Sequence, residues 1–139
     1  MKDRKTLLVV EDDADDRKLM LDTIKQVNPL VNLIFAQNGL EALDYLEQFK
    51  GEPSKMPCLI VLDLNMPYID GKETYQRIRD NSSLVAIPVI IFTSSLNPAD
   101  KAHFERSGVE FFSKPDHYSV MNEIVKHMLQ VCTDVHDRT

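Results

Sequence analysis

Short apolar runs alternate with longer stretches of helical period from one end of the chain to the other, and this alternation carries the fold prediction. Thr6 to Val10 is a continuous apolar run, short enough for a strand buried on both faces. A helix follows over about Ala14 to Val27, with Met20, Ile24 and Val27 on one face, and Asn28-Pro29 closes it. Val31 to Ala36 reads as a second strand. Gly39 to Phe49 reads as a helix with Leu40, Leu43 and Leu46 spaced for burial. Gly51 to Pro57 is a loop, the longest break in the pattern, and a connection rather than a domain boundary.

Leu59 to Leu62 is the strand with the strongest burial signature, followed by a turn through Pro67 and Gly71 and a helix over about Lys72 to Asp80. Val89 to Phe92 is a fourth strand, introduced by Pro88. A helix from near Pro98 to Ser107 stops at Gly108, and Phe111 to Ser113 is a short fifth strand. The last helix runs from about Tyr118 to Val131 with Met121, Ile124, Val125 and Met128 inward. Alternating β and α elements of this kind imply a parallel sheet covered by helices on both faces, because crossover connections are right-handed. The expected fold class is thus α/β, in one domain over residues 1–139, with a core of about 5–131 and a short tail over 132–139.

Composition narrows the partners. The chain has 139 residues, with 16 Lys+Arg against 22 Asp+Glu, a formal net charge of −6. At 43% hydrophobic and 27% charged it is a folding sequence, not a disordered one. The acidic balance, with no dense basic stripe, argues against a nucleic-acid partner. No apolar run approaches the roughly 20 residues a membrane helix needs. The run after Met1-Lys2-Asp3-Arg4-Lys5 is too short for a signal peptide, so the expected location is cytoplasmic, with no membrane association. Cys58 and Cys132 have no metal-ligand spacing and make no disulfide framework; both read as reduced bystanders.

In open parallel sheets ligands bind beyond the carboxyl ends of the strands. There the chain places Glu11-Asp12-Asp13, Asp63, Thr93-Ser94 and Lys114-Pro115. One acid would suffice to cap the first helix, but three stand together, with Asp15 and Asp16 behind. Crowded carboxylates resist ionising together, so a neutralising divalent cation is the favoured reading. Hard oxygen ligands without a His or Cys cluster point to Mg2+. Asp63 sits at the mouth of a central strand, and Asp70 is better placed to cap the next helix. A carboxylate beside a bound cation can attack a phosphoryl group, because the metal offsets the repulsion between anions. Lys114 alone would be a solvated side chain and Thr93 an ordinary turn residue; together they supply what phosphoryl oxygens need. His103, His117, His127 and His136 lack mutual ligand spacing, Met20, Met66, Met121 and Met128 read as packing, and Lys72, Arg77 and Arg79 as a solvated face.

With these residues in place, the chain resembles the receiver domains of two-component response regulators. The resemblance is carried by Leu8-Val9-Val10-Glu11-Asp12-Asp13, Val61-Leu62-Asp63-Leu64-Asn65-Met66-Pro67, Asp70-Gly71, Ile87-Pro88-Val89-Ile90-Ile91-Phe92-Thr93 and Lys114-Pro115, in the family's order and spacing. The extended loop before Cys58 is similar to the standalone, phytochrome-associated branch. The resemblance implies a doubly wound, flavodoxin-like (CheY-like) sheet of order 2-1-3-4-5. It also implies Asp63 as the acceptor of a phosphoryl group from a sensor histidine kinase or a histidine phosphotransfer protein. Mg2+ would be held by Glu11, Asp12, Asp63 and the backbone carbonyl of Asn65, and Thr93 and Lys114 would bind the phosphoryl oxygens. Phe111 would be the switch aromatic that moves with Thr93, and the Lys114-Pro115 bond would be cis, as is common in relatives. Glu11 replaces the commoner aspartate, and Phe111 has no hydroxyl for an output surface to use.

The implied function is a phosphorylation-dependent signalling switch in a phosphorelay, not an enzyme acting on external substrates. With about eight residues after the last helix, no output domain is expected. Output would pass to a downstream protein through the last two helices and the fifth strand, the face through which a homodimer would also pair. An aspartyl-phosphate phosphatase is the alternative, but Asn65 stands where that chemistry places a second Asp. A flavodoxin-like cofactor binder would need a phosphate-cradling loop where the acids stand. A phosphorylation-independent scaffold is the third reading, set against a complete set of site positions.

Overall fold

A computed structural model describes residues 5–137, with side chains over 5–133. The elements are β1 (Thr6–Val10), α1 (Ala14–Val27), β2 (Asn32–Ala36), α2 (Gly39–Gln48), β3 (Leu59–Leu62), α3 (Gly71–Asp80), β4 (Val89–Thr93), α4 (Pro98–Arg106), β5 (Glu110–Ser113) and α5 (Tyr118–Asp137). The five strands are parallel, in the order β2-β1-β3-β4-β5. The chain steps from β1 outward to β2, then back across to β3. The point where strand order reverses therefore lies between β1 and β3.

Side-chain parity on the strands divides the interior into two apolar layers. Leu7, Val9, Leu59, Val61, Ile90 and Phe92 face α1 and α5, where they meet Met20, Ile24, Met121, Val125 and Met128. Leu8, Val10, Ile60, Leu62, Val89 and Ile91 face α2, α3 and α4, where they meet Ala42, Leu46, Tyr75, Ile78 and Phe104. Strands buried on both sides need continuous apolar sequence, which is why β1, β3 and β4 read as unbroken runs. On α2 the buried positions are Gly39, Ala42 and Leu46, while Leu40, expected inside, is 40% exposed. Small residues at the start of the helix let it lie close to its neighbours and turn Leu40 outward.

Helix starts follow local chemistry. Asp13, Asn38, Asp70 and Asn97 each accept a hydrogen bond from the first turn of the helix they precede. Asp70 thus fills the capping role expected of it. The helical face carrying Lys72, Arg77 and Arg79 is only partly solvated. Arg77 pairs with Glu73 at 2.6 Å, but Arg79 turns back to donate to the carbonyls of Val85 (2.6 Å) and Ile87 (3.2 Å), and Lys72 pairs with Asp100 on α4. The contacts of Arg77 and Arg79 stay on or near α3; that of Lys72 ties α3 to α4.

Several expectations are corrected. α5 continues to Asp137 rather than ending near Val131, so much of the expected tail is helix, and Cys132 is 1% exposed within the α1/α5 layer. Cys58 and Cys132 are not separate reduced thiols; they form a disulfide, with Cα atoms 5.0 Å apart. Seventy-four positions of sequence separate them, but α5 packs across the sheet beside β3, and only that packing brings them together. The Lys114–Pro115 peptide is trans: no cis bond occurs among the described residues. Trans is the lower-energy form for X-Pro unless tertiary contacts reverse a small preference. The His136 side chain and residues 1–4 lie outside the described residues. No described helix is long and apolar enough to cross a membrane.

The turn into α3 needs a residue without a side chain. A Cβ on Gly71 would stand 2.6 Å from Leu64 Cα and closer still to the Asp63 carbonyl oxygen, while the Gly71 N–H donates to Leu64 O at 3.0 Å. Backbone on both sides leaves nothing flexible to yield. Gly71→Ala is expected to destabilise the fold by about 1–3 kcal/mol through overpacking. Urea denaturation checks this, and an unchanged midpoint would refute it.

Candidate functional site

The hydrogen-bond ladder of the sheet runs one residue beyond three strand ends, and those three residues form the site. Glu11 N–H donates to Ala36 O at 2.9 Å, Asp63 N–H to Val10 O at 3.3 Å, and Lys114 N–H to Thr93 O at 2.8 Å. Their backbones are therefore held as strand backbones are, although each lies just past its strand. Parity does the rest. Glu11 continues the sequence Leu7, Val9; Asp63 continues Leu59, Val61; Lys114 follows Phe112. All three belong to the α1/α5 side of the sheet.

There Lys114 Nζ makes ion pairs with Glu11 Oε1 at 2.6 Å, Asp16 Oδ2 at 2.8 Å and Asp63 Oδ2 at 3.0 Å. Glu11 and Asp63 are each 4% exposed. Asp12 is exposed, and an oxygen from each of Glu11, Asp12 and Asp63 lies within 4.8 Å of the others. This all-oxygen set fits a hard divalent cation, and the site contains no His or thiolate to favour a softer one. Asp13, the third acid of the run, caps α1 by accepting from Asp16 N–H at 2.9 Å. The capping reading was thus right for one acid of the three.

The remaining expected residues take different positions. Thr93 is fully buried and has the parity of Val89 and Ile91, facing the α2–α4 layer. Its hydroxyl accepts from Ser95 N–H at 3.2 Å. Ser95 in turn donates to Asp100 at 3.1 Å, and Asp100 pairs with Lys72. Asn65 meets Asp63 through its N–H, 3.3 Å from Asp63 Oδ1. Its loop turns at Tyr68, whose φ of +72° is rare for a residue with a side chain. Phe111 is half-buried on the Thr93 side, its ring 6.3 Å from that of Phe104 on α4.

Arg17 escaped the sequence reading, and Asp16 stood there only among the acids behind the cluster, with no lysine assigned to it. Arg17 Nη1 donates to the carbonyls of Glu11 (3.0 Å) and Asp12 (2.9 Å), pinning the loop that presents both acids. Asp16 brings a third carboxylate to Lys114 from the first turn of α1. The available signal was helical spacing. With Asp13 as cap, residues 16 and 17 fall one turn along α1, on the side facing the strand ends.

Burial pushes Glu11 up from 4.5 to about 7; its bond to Lys114 opposes this, and the charge of Asp63 adds to it. Burial acts to lower Lys114, but its bonds to Asp16, Glu11 and Asp63 prevail and hold it above the usual lysine value. The ammonium therefore stays charged throughout the range in which Glu11 titrates. Because Glu11 is raised on folding, the native state binds more protons than the unfolded state between pH 4.5 and about 7. The associated stability is complete below that window and lost as pH rises through it. In chelator, Glu11→Gln should match the parent near pH 5 and exceed it by roughly 1–2 kcal/mol near pH 8, after allowance for solvent screening. Urea midpoints across this range test the point, and a difference that does not vary with pH would refute it.

The profile of the response regulator receiver domain matches residues 7–126. Response regulator Rcp1 of Synechocystis sp. is 39% identical over 97 residues, 69% of this chain and 66% of its own, so the aligned stretch falls just short of two thirds of that relative. A structure of the Mn2+-bound form of Rcp1 superposes with a TM-score of 0.76 at 33% identity, over 88% of this chain and 90% of that one. The phosphorylated cyanobacterial phytochrome response regulator RcpA superposes with a TM-score of 0.77 at 31% identity, over 89% of this chain and 90% of its own. A protein-glutamate methylesterase/protein-glutamine glutaminase of Syntrophomonas wolfei is 33% identical over 134 residues, 90% of this chain but 36% of its own. Strand order, the acids at the reversal point and the match over most of the chain agree: this chain belongs to the receiver-domain family of two-component response regulators.

Proposed function

We propose that the chain is a phosphorylation-controlled switch in which Asp63 accepts a phosphoryl group from a phosphohistidine, on a sensor histidine kinase or a histidine phosphotransfer protein in the cytoplasm. The observation that carries this reading is a buried Asp63 carboxylate that contacts Lys114 and lies within ligand reach of Glu11 and Asp12. Mg2+ is the proposed cation, held by Glu11, Asp12, Asp63 and the Asn65 carbonyl; when bound it neutralises the carboxylates and draws charge from the phosphoryl oxygens. The Mn2+-bound form of Rcp1 and the phosphorylated form of RcpA support the two halves of this reading.

The chain's own residues supply the rest. The ladder bond of Asp63 to Val10 fixes where its oxygen meets phosphorus. That oxygen forms the new P–O bond, the P–N bond to the histidine breaks, and the imidazole keeps its electron pair. Lys114 turns its ammonium from Glu11 and Asp63 to a phosphoryl oxygen. The Thr93 hydroxyl accepts from Ser95 N–H and keeps its own O–H to donate to a phosphoryl oxygen, so that its movement toward the group carries the β4–α4 loop with it and lets Phe111 turn. The added dianion thus favours one of two arrangements of the β4–α4 loop and β5, and a downstream protein reads that change on the face of α4, β5 and α5. A homodimer would use the same face. Asn65 stands where a phosphatase would carry a second acid, so the chemistry ends at the modified Asp63 rather than turning over external substrates.

Incubation with acetyl phosphate and Mg2+, followed by intact mass measurement, is expected to give one phosphoryl adduct that Asp63→Asn abolishes. Lys114→Met should slow its formation on the order of 10²-fold, as loss of one charge-stabilising donor does. No adduct in the parent chain with Mg2+ or Mn2+ would overturn the reading.

A further inference from the structure

Lys114 has more carboxylate partners than phosphoryl binding requires. Two of the three, Glu11 and Asp63, belong to the cluster that can hold a divalent cation; the third, Asp16, does not. A cation on Glu11, Asp12 and Asp63 takes up their charge and repels an ammonium lying against the same oxygens. Lys114 would then lose two of its contacts at the moment it is needed. Asp16 remains, at 2.8 Å, on a helix whose first turn is fixed by the Asp13 cap and by Arg17.

We infer that Asp16 is a positioning residue that retains the Lys114 ammonium beside the site when a divalent cation claims Glu11 and Asp63. The inference rests on the proposed reading of the cluster as a cation site. Asp16 acts through Lys114 and touches neither the cation nor the phosphoryl group. Its side chain is 41% exposed, against 5% for Glu11 and Asp63, so it can lose its charge without leaving a buried hole. The geometry separates two effects of removing it. A carboxylate acting only as nearby negative charge strengthens cation binding whether or not Lys114 is present. A carboxylate acting as the alternative partner of Lys114 does so only when the lysine is there to be moved.

The experiment is a double-mutant cycle on Mg2+ affinity, measured by titration calorimetry on the full chain without phosphodonor. Asp16→Asn is expected to weaken binding by about 3–10-fold in the parent and to change it by less than about twofold in a Lys114→Met background. Equal losses in both backgrounds, or no loss in either, overturn the inference. Should Lys114→Met fail to fold, NMR of the Lys114 ammonium in the Mg2+-loaded chain decides. A signal that persists in the parent and in Asp16→Glu but broadens in Asp16→Asn supports the role; identical signals in all three overturn it. A parent chain that binds no Mg2+ and takes up no phosphoryl group overturns the site reading itself. A parent that does both, with no coupling between Asp16 and Lys114, overturns this inference alone.

Discussion

The ammonium of Lys114 is the charge on which the carboxyl edge of the sheet depends. Two nearly buried carboxylates, Glu11 and Asp63, stand close together there, an arrangement that burial and mutual repulsion both oppose. A lysine arriving from the far strand makes it tolerable by pairing with both. The arrangement is nevertheless poised. Glu11 remains raised to about 7, chiefly by its burial, despite the lysine. A divalent cation within reach of Glu11, Asp12 and Asp63 would offset that cost.

Precision at this edge comes from the backbone. Side chains on loops ordinarily wander, but Glu11, Asp63 and Lys114 are tied by ladder hydrogen bonds to Ala36, Val10 and Thr93. The site thereby inherits the rigidity of the sheet. Around it, Arg17 anchors the first loop by two carbonyls, and the close approach of Gly71 to Leu64 anchors the third. The β4–α4 loop is held differently, by the side-chain chain of Ser95, Asp100 and Lys72. That loop is the one whose rearrangement the proposed switch requires.

Most of this was legible in the sequence where one local signal sufficed. β1, α1 and β3 have the expected limits, because unbroken apolar runs, an acidic cap and a closing Asn-Pro leave little freedom. Glu11, Asp12, Asp63 and Lys114 converge as strand-end logic requires. What escaped depended on contacts between distant elements. The Cys58–Cys132 bridge exists because α5 lies across β3 and continues past Val131; spacing along the chain carries no trace of it. Lys72 pairs with an acid on the next helix, and Asp16 finds a lysine from the opposite end of the chain. The trans Lys114–Pro115 bond is a choice between nearly equal energies, which residue identity does not decide.

The division of the interior by strand parity has a wider meaning. The acids and Lys114 lie on the α1/α5 side of the sheet, while Thr93 and Phe111 lie on the side of α2, α3 and α4. The sheet is a wall with charge on one side and Phe111 on the other, and the end of β4 is where the two meet. Substitutions in α1 can therefore retune the electrostatics without repacking the layer that carries Phe111. Changes on α4 can reshape that layer without disturbing the acids. Parity thus makes the two sides separately adjustable within one small fold.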